Sequence, residues 1–339
     1  MKSVRVEDAI GMILCHDITK IVPGEFKGRA FKKGHIIKEE DIKELLSIGK
    51  EHIYVWEAKE GMLHENDAAI RLKDLVCGTG LEFGEIKEGK INFIAKKDGL
   101  LKIDKEELLK INMLGDIIVS TMHNNTPVKK GEIVGATRVI PLVIDEEKII
   151  EAEKIVKKGI INIEEIKSKK VFMITTGSEV YHGRIKDAFG PAVKKKLEYY
   201  GCELVNQTIL PDDKDKIVAA IKRALKEGAE MIVCTGGMSV DPDDVTPTAI
   251  KECGADLVSY GAPVLPGAMF LLSYYGDIPI LGLPGCVMYS KRTVFDLVLP
   301  RVLADEKLTM RDLALYGHGG LCLDCKVCTF PHCSFGKGE

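Results

Sequence analysis

Residues 231–250 read MIVCTGGMSVDPDDVTPTAI. An apolar run, Met231-Ile232-Val233-Cys234, breaks into Thr235-Gly236-Gly237. A turn carrying Asp241, Asp243 and Asp244 follows, and then Val245-Thr246-Pro247. A buried strand that ends in paired glycines lets backbone amides approach a ligand that a Cβ would keep away. Acids just beyond it suit a hard cation such as Mg²⁺, which prefers oxygen ligands and arrives with phosphates. Together these features point to a phosphate-bearing ligand with a metal. Any one of the residues alone would read as a tight surface turn rich in Gly and Asp.

The flanking sequence places this turn in a fold. Residues 170–174 (KVFMI) form a short buried-strand pattern and run into Thr175-Thr176-Gly177-Ser178-Glu179. Phe189, Val193, Leu197 and Tyr200 then recur at helical spacing, with Gly201 where a helix would stop. Residues 203–210 read as a second strand and end in Pro211-Asp212-Asp213. Ile217, Ala220, Ile221, Ala224 and Leu225 mark an amphipathic helix closed by Gly228. Later, PILGL at 279–283 runs into Pro284-Gly285. Strands alternating with helices predict an α/β fold over about 169–304, a doubly wound, mostly parallel sheet with helices on both faces. Ligands of such sheets bind beyond the carboxyl ends of the strands, where all four special turns fall, so the four turns predict one site.

TTGSE, LPDD, TGG…DDVTP and LPG, in this order and spacing, resemble the molybdopterin-binding domain of molybdenum-cofactor biosynthesis, the MoaB/Mog type. Four motifs in register make the resemblance specific, although each alone is weak. It implies that molybdopterin is bound with its phosphate against the glycine turns. Thr176, Gly177, Ser178, Glu179, Thr235, Gly236, Gly237, Ser239, Pro284 and Gly285 would form the binding set. It also implies catalytic roles for Asp212 and Asp244, with Asp241, Asp243 and Asp244 as Mg²⁺ ligands. The favoured activity is that of a molybdopterin molybdotransferase, inserting molybdate into adenylyl-molybdopterin with release of AMP. An adenylyltransferase, and a non-catalytic carrier delivering finished cofactor to a client molybdoenzyme, are the alternatives. Domains of this type commonly form homo-oligomers.

Phosphoryl and nucleotidyl transfer ask a protein for positioning and charge neutralisation rather than covalent chemistry. Amides of Gly177, Ser178, Gly236 and Gly237 would meet phosphate oxygens, helped by adjacent helix N-termini. The eight histidines are scattered and no Ser-His-Asp or Cys-His arrangement stands out, which argues against a nucleophilic mechanism. Two positions depart from the molybdotransferase pattern. Phe26-Lys27-Gly28-Arg29-Ala30 lacks the acid of an early Asp-Gly-Tyr-Ala motif, and Leu-Pro-Gly continues with Cys286-Val287 instead of Asn or Gln and then Pro. Cys286 reads as a small packed hydrophobe in preference to a soft contact to the dithiolene or molybdenum.

The last twenty-one residues, GGLCLDCKVCTFPHCSFGKGE, place Cys322, Cys325, Cys328 and Cys333 close together. Two-residue gaps let neighbouring thiolates converge on one ion or cluster, so metal binding is expected, as structural zinc or as an iron–sulfur cluster. Such a tail serves as a clip, or as a place to dock a molybdenum enzyme or sense redox state. Ten cysteines with no secretory signal at the start, MKSVRVEDAIGM, predict a reducing cytoplasm. A formal charge of −3 supplies no basic field for nucleic acid or an anionic membrane. Residues 257–276 carry no charge, but Gly261, Pro263, Pro266 and Gly267 interrupt them, so a buried loop and helix beside the site is expected rather than a membrane span.

A chain of 339 residues accommodates several domains. The pattern predicts a small α+β region at 1–60, a β-rich domain at 61–147 and a helical connector at 148–168. The α/β domain would occupy 169–310, and the metal-binding tail 311–339. Ile42, Leu45, Leu46 and Ile48 predict a helix near 39–48. Phe31-Lys32-Lys33-Gly34 and Val128-Lys129-Lys130-Gly131 read as hairpin turns, and His64-Glu65-Asn66 as a helix cap centred on Asn66 rather than a ligand pair.

Overall fold

The computed structural model describes residues 2–22, 25–55, 61–157, 159–239 and 241–338. The chain divides into two compact units: Met1–Lys97, Lys102–Met122 and Lys129–Ile163 in one, and Asp98–Leu101, His123–Val128 and Glu164–Glu339 in the other. The boundary expected near residue 60 falls in 56–60, outside the described residues.

The first unit is assembled from small antiparallel sheets. Lys2–Arg5 pairs with His52–Val55, and Ile18–Val22 with Phe26–Phe31. Leu81–Phe83, Lys90–Ala95, Ile133–Val139 and Ile117–Thr121 make a four-stranded sheet in that order. A helix does form at Glu39–Ser47, and it buries Leu45 among Val6, Leu14, Ile18 and Ile53. Two local expectations fail here. Gly34 and Gly131 have the positive φ of tight turns (84° and 88°), but neither turn joins paired strands. Thr126–Val128, which belongs to the second unit, pairs there with residues 99–101, whereas Ile133–Val139 of the first unit pairs with Lys90–Ala95 and Ile117–Thr121. Long-range pairing thus overrode a local hairpin. The helix Glu65–Val76 is capped by His64, whose Nδ1 accepts the Asn66 N–H at 3.1 Å, while the Asn66 side chain accepts the Gly89 N–H.

The second unit carries the predicted α/β fold. Its elements are β1 (Lys170–Thr176), α1 (Ser178–Tyr181), α2 (Phe189–Tyr199), β2 (Glu203–Leu210), α3 (Lys214–Lys226), β3 (Met231–Thr235) and α4 (Thr246–Glu252). They continue with β4 (Asp256–Tyr260), β5 (Leu271–Tyr275), β6 (Ile278–Leu283), α5 (Val294–Leu303) and α6 (Met310–Leu315). The sheet order is β2-β1-β3-β6-β5-β4. The first four strands run parallel, and β5 and β4 finish the sheet antiparallel. β1 and β3 are buried along nearly their whole length because both faces are covered, which is why they read as unbroken apolar runs. Val171 and Met173 face α2 and α5, and Phe172 and Ile174 face α3 and α4. The period of two along a strand deals alternate side chains to two separate cores.

Residues 257–276 depart from expectation: they form β4, β5 and their connection, not a loop and helix. A short apolar run does not distinguish a buried strand from a buried helix by periodicity. Among the described residues no helix is long and apolar enough to cross a membrane. The tail returns to the α/β core, where Phe335 is buried and Cys322, Phe330 and Cys333 pack against it.

Candidate functional site

The chain leaves β1 toward β2 on one side and reaches β3 on the other, so the turns after β1 and β3 flank the point where strand order reverses. This is where a crevice opens in a doubly wound sheet. An open cleft of about 990 Å³ lies there. From the turn after β1 it is lined by Thr176, Gly177, Ser178 and Glu179, and from the turn after β2 by Asp212. The turn after β3 contributes Gly236, Gly237, Ser239, Asp241, Asp243 and Asp244, and the turn after β6 Pro284 and Gly285. The four turns legible in the sequence therefore converge on one cleft. Thr235 does not reach it: its side chain is fully buried beneath the floor and donates to Thr175 at 3.1 Å.

Close packing holds these turns. Gly236 has φ +82°, and a Cβ on it would lie 2.0 Å from the Thr176 carbonyl oxygen, so the ends of β1 and β3 touch only because a hydrogen stands there. The buried Thr176 hydroxyl meets that of Thr246 at 3.2 Å and so ties the end of β1 to the start of α4. Asp212 accepts the Ser178 N–H at 2.8 Å, which fastens the turn after β2 to the turn after β1. Beneath them, Gln207 donates to Thr175 at 2.9 Å and to Asp187 at 2.7 Å, and Asp187 accepts the N–H groups of Phe189 and Gly190 at the start of α2. These side chains find their partners in one another, as a rigid floor requires. The acidic turn is closed on itself, the Asp241 N–H donating to Asp244 at 3.2 Å.

Sequence reasoning missed several contributors. Arg184, Phe189, Met238, Met269 and Met288 also line the cleft. Phe189 reads in the sequence as one more apolar position of a core-facing helix, and Arg184 sits in an exposed loop with no motif to mark it. Tyr260, at the end of β4, donates its hydroxyl to the carbonyls of Met238 and Ser239, both at 2.9 Å. Burial, with the charge of Asp244 added, pushes the Tyr260 phenol up, so it remains a donor. The helices that follow the glycine turns are short, with four residues in α1 and seven in α4, so the turn amides matter more than any macrodipole.

Among the described residues, Glu179, Asp212, Asp241, Asp243 and Asp244 face the cleft against a single cation, Arg184, giving five carboxylates to one guanidinium. Their donor atoms are all carboxylate oxygens, the chemistry that suits Mg²⁺. Among the described residues no three or more His, Cys, Asp or Glu side chains are already gathered as a metal site.

The four tail cysteines lie elsewhere in this unit, and all four line one small cavity of about 50 Å³ with Arg292, Phe330 and Phe335. Burial raises the Cys328 thiol, but an amide hydrogen bond at Phe330 and the Arg292 guanidinium outweigh it and hold the thiol below its ordinary value. Cys286 does not line the cleft; it is half-buried and burial pushes its thiol up, which suits packing.

Comparison with known proteins bears on two segments. Residues 3–57 match a family model described as a domain of unknown function, and residues 172–304 match the model described as "Probable molybdopterin binding domain". A CinA-like protein from Mycobacterium sp. (strain JLS) is 36% identical over 92 residues, 27% of this chain and 22% of the relative. A CinA-like protein from Mycobacterium avium (strain 104) is 35% identical over 92 residues, 27% of this chain and 21% of the relative. The chain thus spans about a fifth of the length of these relatives. Among solved structures, the molybdopterin biosynthesis enzyme MoaB from Thermus thermophilus is 22% identical with a TM-score of 0.34, covering 42% of this chain and 99% of that one. The tungsten cofactor synthesizing protein MoaB from Pyrococcus furiosus is 26% identical with a TM-score of 0.31, covering 36% of this chain and 84% of that one. Residues 172–304, the stretch that matches the probable molybdopterin binding domain model, include the cleft and all four of its turns.

Proposed function

We propose that the cleft binds a phosphate-bearing molybdopterin together with Mg²⁺, and that the chain acts in molybdenum-cofactor biosynthesis by molybdate insertion into adenylyl-molybdopterin with release of AMP. The observation that carries this reading is a glycine-amide turn facing a wall of carboxylates. Amides that close on a phosphate need glycine, and Gly236 and Gly237 supply it with φ of +82° and +55°. Five carboxylates against one arginine would repel a bare phosphate. A divalent cation reverses that sign, so amides and acids become parts of one site rather than opponents. Bound Mg²⁺ would neutralise charge shared between the phosphate oxygens and the acids.

In this reading Asp241, Asp243 and Asp244 hold the metal, and Asp212, by accepting the Ser178 N–H, keeps the turns after β1 and β2 together at the edge of the site. The amides of Gly236 and Gly237 orient the ligand, those of Gly177 and Ser178 being engaged by the Leu210 carbonyl and by Asp212. Met238, Met269 and Met288 supply apolar walls for the pterin and its sulfur-bearing side chain. The test follows AMP release from adenylyl-molybdopterin and Mg²⁺, with and without molybdate. The expected outcome is molybdate-dependent release that Asp244→Ala abolishes while pterin binding largely survives. Tight binding with no AMP release would reject transfer and leave a carrier.

A further inference from the structure

We propose that Cys322, Cys325, Cys328 and Cys333 hold a polynuclear iron–sulfur cluster in the cavity they line. The proposal does not rest on the reading of the cleft.

Space argues for several atoms rather than one. A mononuclear zinc site draws four thiolates to about 2.3 Å from a point. Here the thiols stand around a cavity of about 50 Å³, several times the roughly 10–15 Å³ that admits a single water. The spacing agrees. Cys322, Cys325 and Cys328 follow each other at three-residue intervals, the run that presents successive thiolates to different irons of a cluster. Asp324 adopts φ +46°, which bends the chain between the first two cysteines.

Charge suits thiolate ligation at this place. Four thiolates around a cluster leave it anionic, and cations at the sulfurs lower that cost. Arg292 lies beside Cys328 and lines the same cavity, and the Lys291 ammonium donates to the Cys325 carbonyl at 2.8 Å. Contacts with the α/β core fix both ends of the tail. The Cys322 N–H donates to the Leu265 carbonyl and the Leu265 N–H to that of Gly320, both at 2.8 Å. At the other end Phe335 is buried, and Gly336 lies so close to Leu297 that a Cβ would meet it at 2.3 Å. Ligation replaces each S–H bond by an S–Fe bond, the proton passing to solvent; ferrous iron, ferric iron and inorganic sulfide come from the medium, and ferrous and ferric ions in equal number with matching sulfide give the mixed-valence cluster with no net electron transfer.

The test reconstitutes the full chain anaerobically, with equal amounts of ferrous and ferric iron plus sulfide in one arm and zinc alone in the other. The expected result is about four irons and four sulfides per chain, with a brown thiolate-to-iron charge-transfer absorption. Cys325→Ser, at an exposed position, should lose that absorption with an unchanged far-UV circular dichroism spectrum, and Cys286→Ser should keep it. One zinc per chain with no sulfide retained in the iron arm would overturn the proposal, as would no metal uptake or an undiminished cluster in Cys325→Ser.

Discussion

Gly236→Ala isolates the contact on which the cleft depends. Two costs add. An alanine at φ +82° pays the left-handed backbone penalty of about 1–2 kcal/mol. Its Cβ would also stand 2.0 Å from the Thr176 carbonyl oxygen and 2.9 Å from the Thr176 hydroxyl. That oxygen belongs to backbone and has no rotamer to escape into, so β1 and β3 must part, an overpacking cost of about 1–3 kcal/mol. Gly228→Ala supplies the reference: φ is +86° there, with nothing within 4 Å of the added Cβ, so only the backbone term applies. Hydrogen–deuterium exchange, read on peptides from β1 and β3, separates the two because it reports local opening. Gly228→Ala should speed exchange by about tenfold, and Gly236→Ala by a further ten- to hundredfold, at about 1.4 kcal/mol per tenfold. Equal acceleration in the two variants would refute the argument, since the close approach of β1 and β3 would then yield at no cost.

Tyr260→Phe removes the hydroxyl that holds the Met238 and Ser239 carbonyls, so the turn after β3 should loosen by about 1 kcal/mol; faster exchange there with a few-fold weaker pterin affinity is expected, and unchanged values for both would remove Tyr260 from the site. Arg301 is buried and ties together Glu306, Asp312 and the Tyr316 hydroxyl. Arg301→Met should destabilise the second unit toward the lower end of about 3–5 kcal/mol, because the two acids keep some access to solvent; urea denaturation checks it, and a loss under about 1 kcal/mol would speak against the network. In the first unit, burial lowers the pKa of His64 and of His16. Both are therefore neutral when folded, while the unfolded chain takes up protons below about pH 6.5. Stability of that unit should hold above that pH and fall as pH drops through it. Asp17 and Asp41, whose pKa values are lowered, extend the loss only at more acid pH. Thermal melts from about pH 8 to pH 5 would show the slope, and its survival in a His16→Gln, His64→Gln double variant would contradict the assignment.

The α/β unit was legible because its strands are buried on both faces and so read as unbroken apolar runs, each stopped by glycine or proline. β1 and β3 were found that way, and the parallel arrangement followed from the helices between them. The cleft was legible for a related reason: its backbone turns need glycine, and its acids are close in sequence. What escaped came from side chains that act across the fold. Tyr260 reaches the turn after β3 from the sheet edge, and Arg184 comes from a loop without regular pattern. Thr235 was misplaced because a residue next to a glycine turn looks like part of it, although the strand's alternation points its side chain into the floor. The first unit resisted reading because its strands are short and pair over long distances, so a Lys-Lys-Gly turn gave true backbone geometry and the wrong neighbour.

The four turns of the cleft lie near residues 176, 212, 236 and 285, more than a hundred positions from first to last. They share a face only once β2, β1, β3 and β6 have paired. An unfolded or half-folded chain therefore presents no fragment of the pocket, and a ligand that fits it finds only the finished sheet. Its whole binding energy then counts toward keeping that sheet, about 2.7 kcal/mol at a hundredfold excess over Kd. Supply of the ligand would thus govern how long the domain survives in a proteolytic environment, as well as how often its site is filled.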